Sequence, residues 1–313
     1  MKRKVSKIGP ATLMVSLPSK WAREQNIKKG DEIELTIIDN ILKISPSDKE
    51  LKKGKTVMID MTRLGVSGGR SIGALYKAGV DEIHIRYENP EQLAIIQNNI
   101  RDLIGFEMVR QSANKCIIKE VSIASEEDFP MLMNRTFLLI ESVVDDGYAV
   151  LENKQYDALQ SLIERDLAIN RFSNYLRRIL NMSYQLPHVQ RVMTYFIVNE
   201  LENMGDEYKA LFRLIQEDSK GLTKEFFQIM LHLNQHIREF HSLWQKFSPE
   251  KANEYELAWK EIKKKLEKLL EYPRGEHRTR YAYLYNINER LFNVFKPLLS
   301  MKLSEEALVQ EEK

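Results

Sequence analysis

Eight lysines and arginines crowd the first thirty residues, against the single acid Glu24, so this stretch carries about +7 while the remaining 283 residues sum to about −5 in a chain of net charge +2. Cations clustered in this way suit a polyanion, and phosphate contacts of this kind are salt-dependent and only weakly sequence-specific. A second constellation lies far downstream. Asn199, Glu202, Asn203 and Asp206 recur at i, i+3, i+4 and i+7, which is one face of a helix. Glu202 and Asp206 on that face repel each other by a few tenths of a kcal/mol, a cost that a bound cation reverses. Asn286, Glu289, Arg290 and Asn293 repeat the spacing, and Asp166, Asn170 and Arg177 form a third polar stripe. His232 and His236, at i and i+4 with His241 beyond, have the spacing of a zinc-ligating pair. No Glu follows His232, so the metalloprotease motif is absent, and histidines among Leu, Gln and Phe are read as packing or surface residues. The Gly65-Val66-Ser67-Gly68-Gly69 stretch lacks both phosphate-loop spacings and reads as a tight turn with Ser67 capping the next helix. No Ser-His-Asp or Cys-His set stands out, the one cysteine, Cys116, falls in a strand pattern, and nothing points to an enzyme.

The elements that must hold these residues follow from periodicity. Residues 3–9 and 11–17 alternate as half-buried strands broken at Gly9-Pro10. Ser19 is placed to cap a short helix over 20–25, Lys28-Lys29-Gly30-Asp31 makes a turn, and two further strands flank a hairpin turn at Asp39-Asn40. A stretch this short rarely holds a core alone, so dimerisation is expected. Residues 48–54 read as a charged linker. A small α/β domain of alternating strands and helices then spans 55–122, with a helix started by Asn89-Pro90 and a hairpin turning near Ala113-Asn114. From Ser125 the pattern is helical: 126–151, 154–182, 187–218, 222–246, 249–272 and 277–300, with short breaks at 152–154, 185–187, 219–221, 248–249 and 272–275. On the third of these, Met193, Ile197, Leu201, Met204, Tyr208, Leu211 and Ile215 form the core side. Residues 301–313 read as an acidic tail that frays.

K-V-S-K-I-G, V-S-L-P-S-K-W, I-K-K-G-D-E-I-E-L and D-N-I-L-K-I resemble the SpoVT/AbrB family of swapped-hairpin DNA-binding domains. The resemblance implies a DNA-binding and dimerisation domain over 1–47, an intertwined homodimer, with Arg3, Lys4, Lys7, Lys20 and Arg23 facing DNA. Many members carry an Arg directly after the first-turn Gly, where this chain has Pro10-Ala11-Thr12.

L-E-N-M-G-D and E-R-D-L-A-I-N, on the third and second long helices, resemble the PhoU family, with Asn170 where a second Asp is usual. The resemblance spans about 125–300 and implies tandem three-helix bundles, in keeping with the repeated stripe. It also implies a divalent or ferric metal ion in the first bundle, held by Glu202, Asp206 and Asp166. In the second bundle only Glu289 survives of the acidic motif.

The expectation is therefore a multidomain, cytoplasmic homodimer: a swapped-hairpin β head, an α/β middle and an all-α PhoU-like pair of bundles. One cysteine excludes intramolecular disulfides, and no apolar run reaches the length of a membrane span, about 18 residues, so no direct membrane insertion is expected. The function expected is that of a DNA-binding transcriptional regulator of phosphate uptake. The rival is an interaction protein acting on a phosphate-transporter ATPase or sensor kinase, with the head serving only to dimerise.

Overall fold

The computed structural model describes residues 1–38, 41–46, 54–122, 125–182, 186–220, 222–271 and 277–311. The expected turn at Asp39-Asn40, linker residues 48–53 and the helix breaks at Gln185, Gly221 and 272–275 lie outside the described residues. The chain divides into two compact units, Met1–Gly54 and Lys55–Lys313.

In the first unit β1 (Ser6–Ile8) and β2 (Thr12–Met14) form one antiparallel hairpin, α1 (Ser19–Glu24) follows, and β3 (Ile33–Ile38) pairs antiparallel with β4 (Ile41–Pro46). Ser19 does not cap α1: Pro18 holds that position in extended backbone, and no side chain accepts a bond there. The expected turn forms, Asp31 accepting from the Lys28 backbone N–H at 2.7 Å. In the β3–β4 register Ile33, Leu35 and Ile37 stand opposite Pro46, Ile44 and Leu42, which gives the hairpin one wholly apolar face. That face is open: Ile37 is 79% exposed, and none of the described residues of this unit is buried. A lone two-stranded hairpin is at best marginally stable in water, so this face needs a cover.

The second unit begins with β5 (Thr56–Asp60), α2 (Met61–Leu64), a 3-10 turn at Gly65–Ser67, α3 (Gly68–Lys77), β6 (Glu82–Arg86), α4 (Pro90–Ile100), β7 (Phe106–Gln111) and β8 (Lys115–Glu120). The sheet order is β5-β6-β8-β7, with β5 and β6 parallel and the other pairs antiparallel. α4 starts as expected, with Asn89 Oδ1 accepting from the Gln92 N–H at 2.8 Å and Pro90 in the first turn. The glycine-rich stretch is a correction. It is helical rather than a loop, Ser67 makes no capping bond, and Gly68 and Gly69 are buried. A Cβ on Gly68 would stand 2.8 Å from Met61, and one on Gly69 2.8 Å from Ile95, so these glycines let α3 pack closely and do not cradle an anion.

Six helices follow: α5 (Phe129–Glu152), α6 (Leu159–Met182), α7 (His188–Glu217), α8 (Lys224–Gln245), α9 (Pro249–Glu271) and α10 (His277–Glu311). α5, α6 and α7 pack as one set of three and α8, α9 and α10 as another, and the sets meet where α7 lies along α10 and α5 along α8. Ile197, Leu201, Met204, Tyr208, Leu211 and Ile215 are buried as expected, while Met193 is only partly covered. The expected tail is corrected: α10 runs on through Glu311, and Met301, assigned to the tail, is buried with its sulfur 3.5 Å from Thr194 Oγ1. Glu, Ala and Leu are strong helix formers, and that propensity carries the helix onward despite the acidic composition.

The α/β domain is fastened to α6 chiefly through Arg178, with Asn181 adding a bond to the Lys77 carbonyl at 2.7 Å. Arg178 is fully buried and donates to the backbone carbonyls of Tyr76 and Val80, each at 2.8 Å, and pairs with Asp81 at 3.1 Å and Glu120 at 3.0 Å. Its guanidinium also lies over the rings of Tyr76 and Phe106, 5.1 and 4.9 Å from their centres. Burial raises the Tyr76 hydroxyl well above the ordinary tyrosine pKa, against the pull of Arg178.

Candidate functional site

Arg3, Lys4, Lys7, Lys20 and Arg23 are all exposed. Lys20 makes a loose pair with Glu24 at 3.9 Å, and Arg23 Nε donates to the Ser19 carbonyl at 3.3 Å. Lys7 on β1, Lys20 and Arg23 on α1, and Arg3 and Lys4 just before β1 thus place five cations at the surface of one small unit. Exposed cations present their donors to phosphate oxygens.

The helical stripes lead inward. Arg177, almost fully buried, donates to Asn199 Oδ1 at 2.9 Å and Asn174 Oδ1 at 3.1 Å and pairs with Glu202 at 2.8 Å. Lys209 sits between two carboxylates: its Nζ reaches Asp166 Oδ2 at 2.6 Å and also pairs with Asp206. Asn170 donates to the same Asp166 oxygen at 3.0 Å, while Asp166 Oδ1 is buried with no hydrogen-bond partner. Gly205, of the E-N-M-G-D run, lies beside this group, and a Cβ there would press Ile169 at 3.1 Å and come 3.4 Å from Asp166 Oδ1. Burial raises the Asp166 carboxyl above the usual aspartate pKa despite Lys209. Burial pulls Lys209 down, but its bonds to Asp166 and Asp206 outweigh that and hold the ammonium above the usual lysine value.

The three expected metal ligands are therefore not one set. Asp166 and Asp206 share the chain's own cation, and Glu202 belongs to Arg177. Among the described residues no group of three or more His, Cys, Asp or Glu is placed to hold a metal ion. A hard cation between Asp166 and Asp206 would face an ammonium, so the donors as arranged do not fit the metal that the family resemblance implies. The histidines pack, as read from the sequence. His236 is buried and stacks on Tyr255 at 3.8 Å, His241 stacks on Phe137 at 4.5 Å and meets Glu141 at 2.7 Å, and His232 is exposed.

Two acids of a neighbouring stripe on α7, Glu200 and Glu207, escape the sequence reading, and Asn203, read there with Asn199 and Glu202, bonds to Glu200 instead at 3.0 Å. Glu200 and Glu207 face α10, where Arg290 approaches Glu200 at 3.2 Å and Glu207 at 3.5 Å, Asn293 donates to Glu200 at 3.2 Å and Asn286 to Glu207 at 3.2 Å. The stripe Asn286, Arg290, Asn293 is thus the polar seam between the two helical sets, while Glu289 turns away to Lys263 at 3.1 Å. Tyr208 is a further missed link: buried on α7, it donates to Asn234 on α8, which donates to the Val144 carbonyl on α5.

Lys209→Met tests the Asp166 group. It leaves a buried carboxylate without its counter-charge and is expected to lower stability at pH 7 by about 3 kcal/mol. An acid with a raised native pKa is destabilising above that pKa, and the penalty vanishes as it takes up a proton. The gap between wild type and variant should therefore narrow as pH falls towards about 4. Urea unfolding at pH 7 and pH 4.5 checks this; an unchanged gap places the effect elsewhere.

With this geometry in view, comparison with known proteins gives two likenesses. Residues 7–52 match a family model described as antidote-toxin recognition MazE, bacterial antitoxin. The first unit thus carries a MazE/AbrB-like domain, as the quoted motifs imply. The solved structure of the phosphate transport system regulatory protein PhoU from Streptococcus pneumoniae is similar over 56% of this chain and 94% of that one, at 12% identity and a TM-score of 0.47. No curated protein matches. Among the described residues no helix is long and apolar enough to cross a membrane.

Proposed function

We propose that the chain is a homodimeric, DNA-binding transcriptional regulator of phosphate uptake, with the head binding DNA and the helical sets reading phosphate status or a protein partner. The observation that carries this reading is the first unit itself. It matches an antitoxin-type domain, leaves Arg3, Lys4, Lys7, Lys20 and Arg23 exposed, and has an uncovered apolar face suited to a second copy. The link to phosphate rests on the L-E-N-M-G-D resemblance and on the six helices in two sets of three. The rest of the chain then acts as a sensor, because two heads on a pseudo-palindromic site must keep a fixed spacing and a partner that alters this spacing alters affinity. No catalytic group is needed for this role.

Gel shifts in rising salt test the head. Wild type is expected to bind DNA with an affinity that falls steeply with salt, and the triple variant Arg3→Ala/Lys4→Ala/Arg23→Ala to lose about one unit of log–log salt slope for each phosphate contact removed. No binding even at low salt would remove the DNA-binding claim and leave the rival, in which the helices act on a transporter ATPase or a sensor kinase. A genome-wide map of bound DNA then tests the phosphate assignment, which fails if sites upstream of phosphate-transport genes are not enriched.

A further inference from the structure

Among the described residues of the α/β sheet, Ile83, Ile85, Cys116 and Ile118 on one face are buried, whereas Met58, Arg86 and Arg110 on the other are exposed. Register places Met58, His84, Ile117 and Arg110 in one row across β5, β6, β8 and β7 on the open face, and Asp60, Arg86 and Lys115 in the next. Arg110 reaches that face because the ladder slips between Met108 and Arg110: Met108 stands opposite Ile118 and Arg110 opposite Ile117. Such a bulge reverses the facing of every residue after it. The result is a cavity of about 600 Å³ lined by Met58, His84, Arg86, Arg110, Lys115 and Ile117 among others.

The charge in this cavity is one-sided. Among the described residues Arg86, Arg110 and Lys115 form no salt bridge, and no acid lines the cavity. Of the carboxylates in the flanking rows, Glu107 stands opposite Lys119, outside the cavity lining, and the other two are committed. Asp60 accepts from the backbone N–H and hydroxyl of Thr62 at 3.0 and 2.7 Å, and Glu82 pairs with His84 at 2.6 Å and Lys119 at 3.3 Å. The apolar part is exposed too, Met58 at 77%. Three cations beside an apolar strip, in a space within the range of about 300–1,000 Å³ typical of ligand pockets, call for an anion attached to a flat apolar body. Two guanidiniums offer paired donors that fit a phosphate, and Met is a pliant surface for a ring.

We propose that the open sheet face of the α/β domain is a nucleotide-class binding site, with the phosphate held by Arg86, Arg110 and Lys115 and the ring system resting on Met58 and Ile117. This site is independent of DNA binding by the head. Titration calorimetry of the full chain with AMP, adenosine and inorganic phosphate tests it. AMP is expected to bind, with adenosine and inorganic phosphate each at least about tenfold weaker, because each supplies only half of the contacts. Arg86→Ala/Arg110→Ala and, separately, Met58→Asp should each weaken AMP about tenfold or more. All three side chains are exposed, and unchanged thermal unfolding would show that the variants fold. Absence of AMP binding at millimolar concentration overturns the proposal, as does AMP affinity unchanged by the double substitution. Inorganic phosphate binding as tightly as AMP removes the ring contact and with it the nucleotide class. Loss of an oligomer in Met58→Asp without AMP binding in wild type would assign the face to a second copy instead.

Discussion

Arg178→Ala is expected to lower the unfolding free energy of the second unit by about 3–5 kcal/mol, enough to unfold a marginally stable protein near physiological temperature. The substitution removes donors to the Tyr76 and Val80 carbonyls and leaves Asp81 and Glu120 facing each other with no cation between them. It also empties the space beside Tyr76 and Phe106. Arg178→Lys keeps one charge but cannot reach two carbonyls and two carboxylates at once, and should lie between wild type and Ala. Urea unfolding monitored by circular dichroism measures both. An Arg178→Ala loss below about 1 kcal/mol would mean that water replaces the guanidinium at no great cost, and that the buried cluster is not what joins the domain to α6.

The second large effect belongs to the head. Leu35→Glu/Ile37→Glu is expected to convert a dimer to monomers and to weaken DNA binding on the order of 100-fold or more, since paired heads gain their second contact as an intramolecular event. Neither residue is buried within one copy, at 57% and 79% exposure, so the substitution costs the single chain little and the dimer much. Sedimentation reports the mass and gel shift the affinity. A variant that stays dimeric would show that other surfaces hold the pair together.

Long helices were readable from their period alone, and five of the six expected spans meet the observed ones within about five residues, while the last runs on eleven residues past its expected end, because an amphipathic helix repeats its apolar face many times but does not announce where it stops. What the period could not supply was the neighbour. Asn199, Glu202, Asn203 and Asp206 share α7 with Glu200 and Glu207, and both sets satisfy helical spacing, yet Glu202 pairs with Arg177 of α6 and Asp206 with Lys209 of its own helix, while Glu200 and Glu207 face Arg290 across the seam. Only the packing of α10 against α7 decides that. Arg178 was hidden in the same way, its signal reduced to the second of two arginines between Leu176 and Ile179-Leu180. The glycine stretch misled because composition favours a turn, whereas close packing against Met61 and Ile95 needs the same residue. In β7 strict alternation would have put Phe106, Met108 and Arg110 on one face, and a single slip in register separates them. On the question of metal, the stripe gave the carboxylates but not Lys209, which stands on α7, 43 residues from Asp166 in sequence and beside it in space.

The Arg178 cluster also bears on how such a chain is assembled from parts over time. The α/β domain and α6 share a buried ionic group whose halves lie on opposite sides of residue 122, so a recombination event at that boundary would separate a guanidinium from both its carboxylates. The compact units, by contrast, divide at Gly54. Exchange of heads between related chains is thus compatible with an intact second unit, while the α/β domain and the helices must be inherited, and must vary, together.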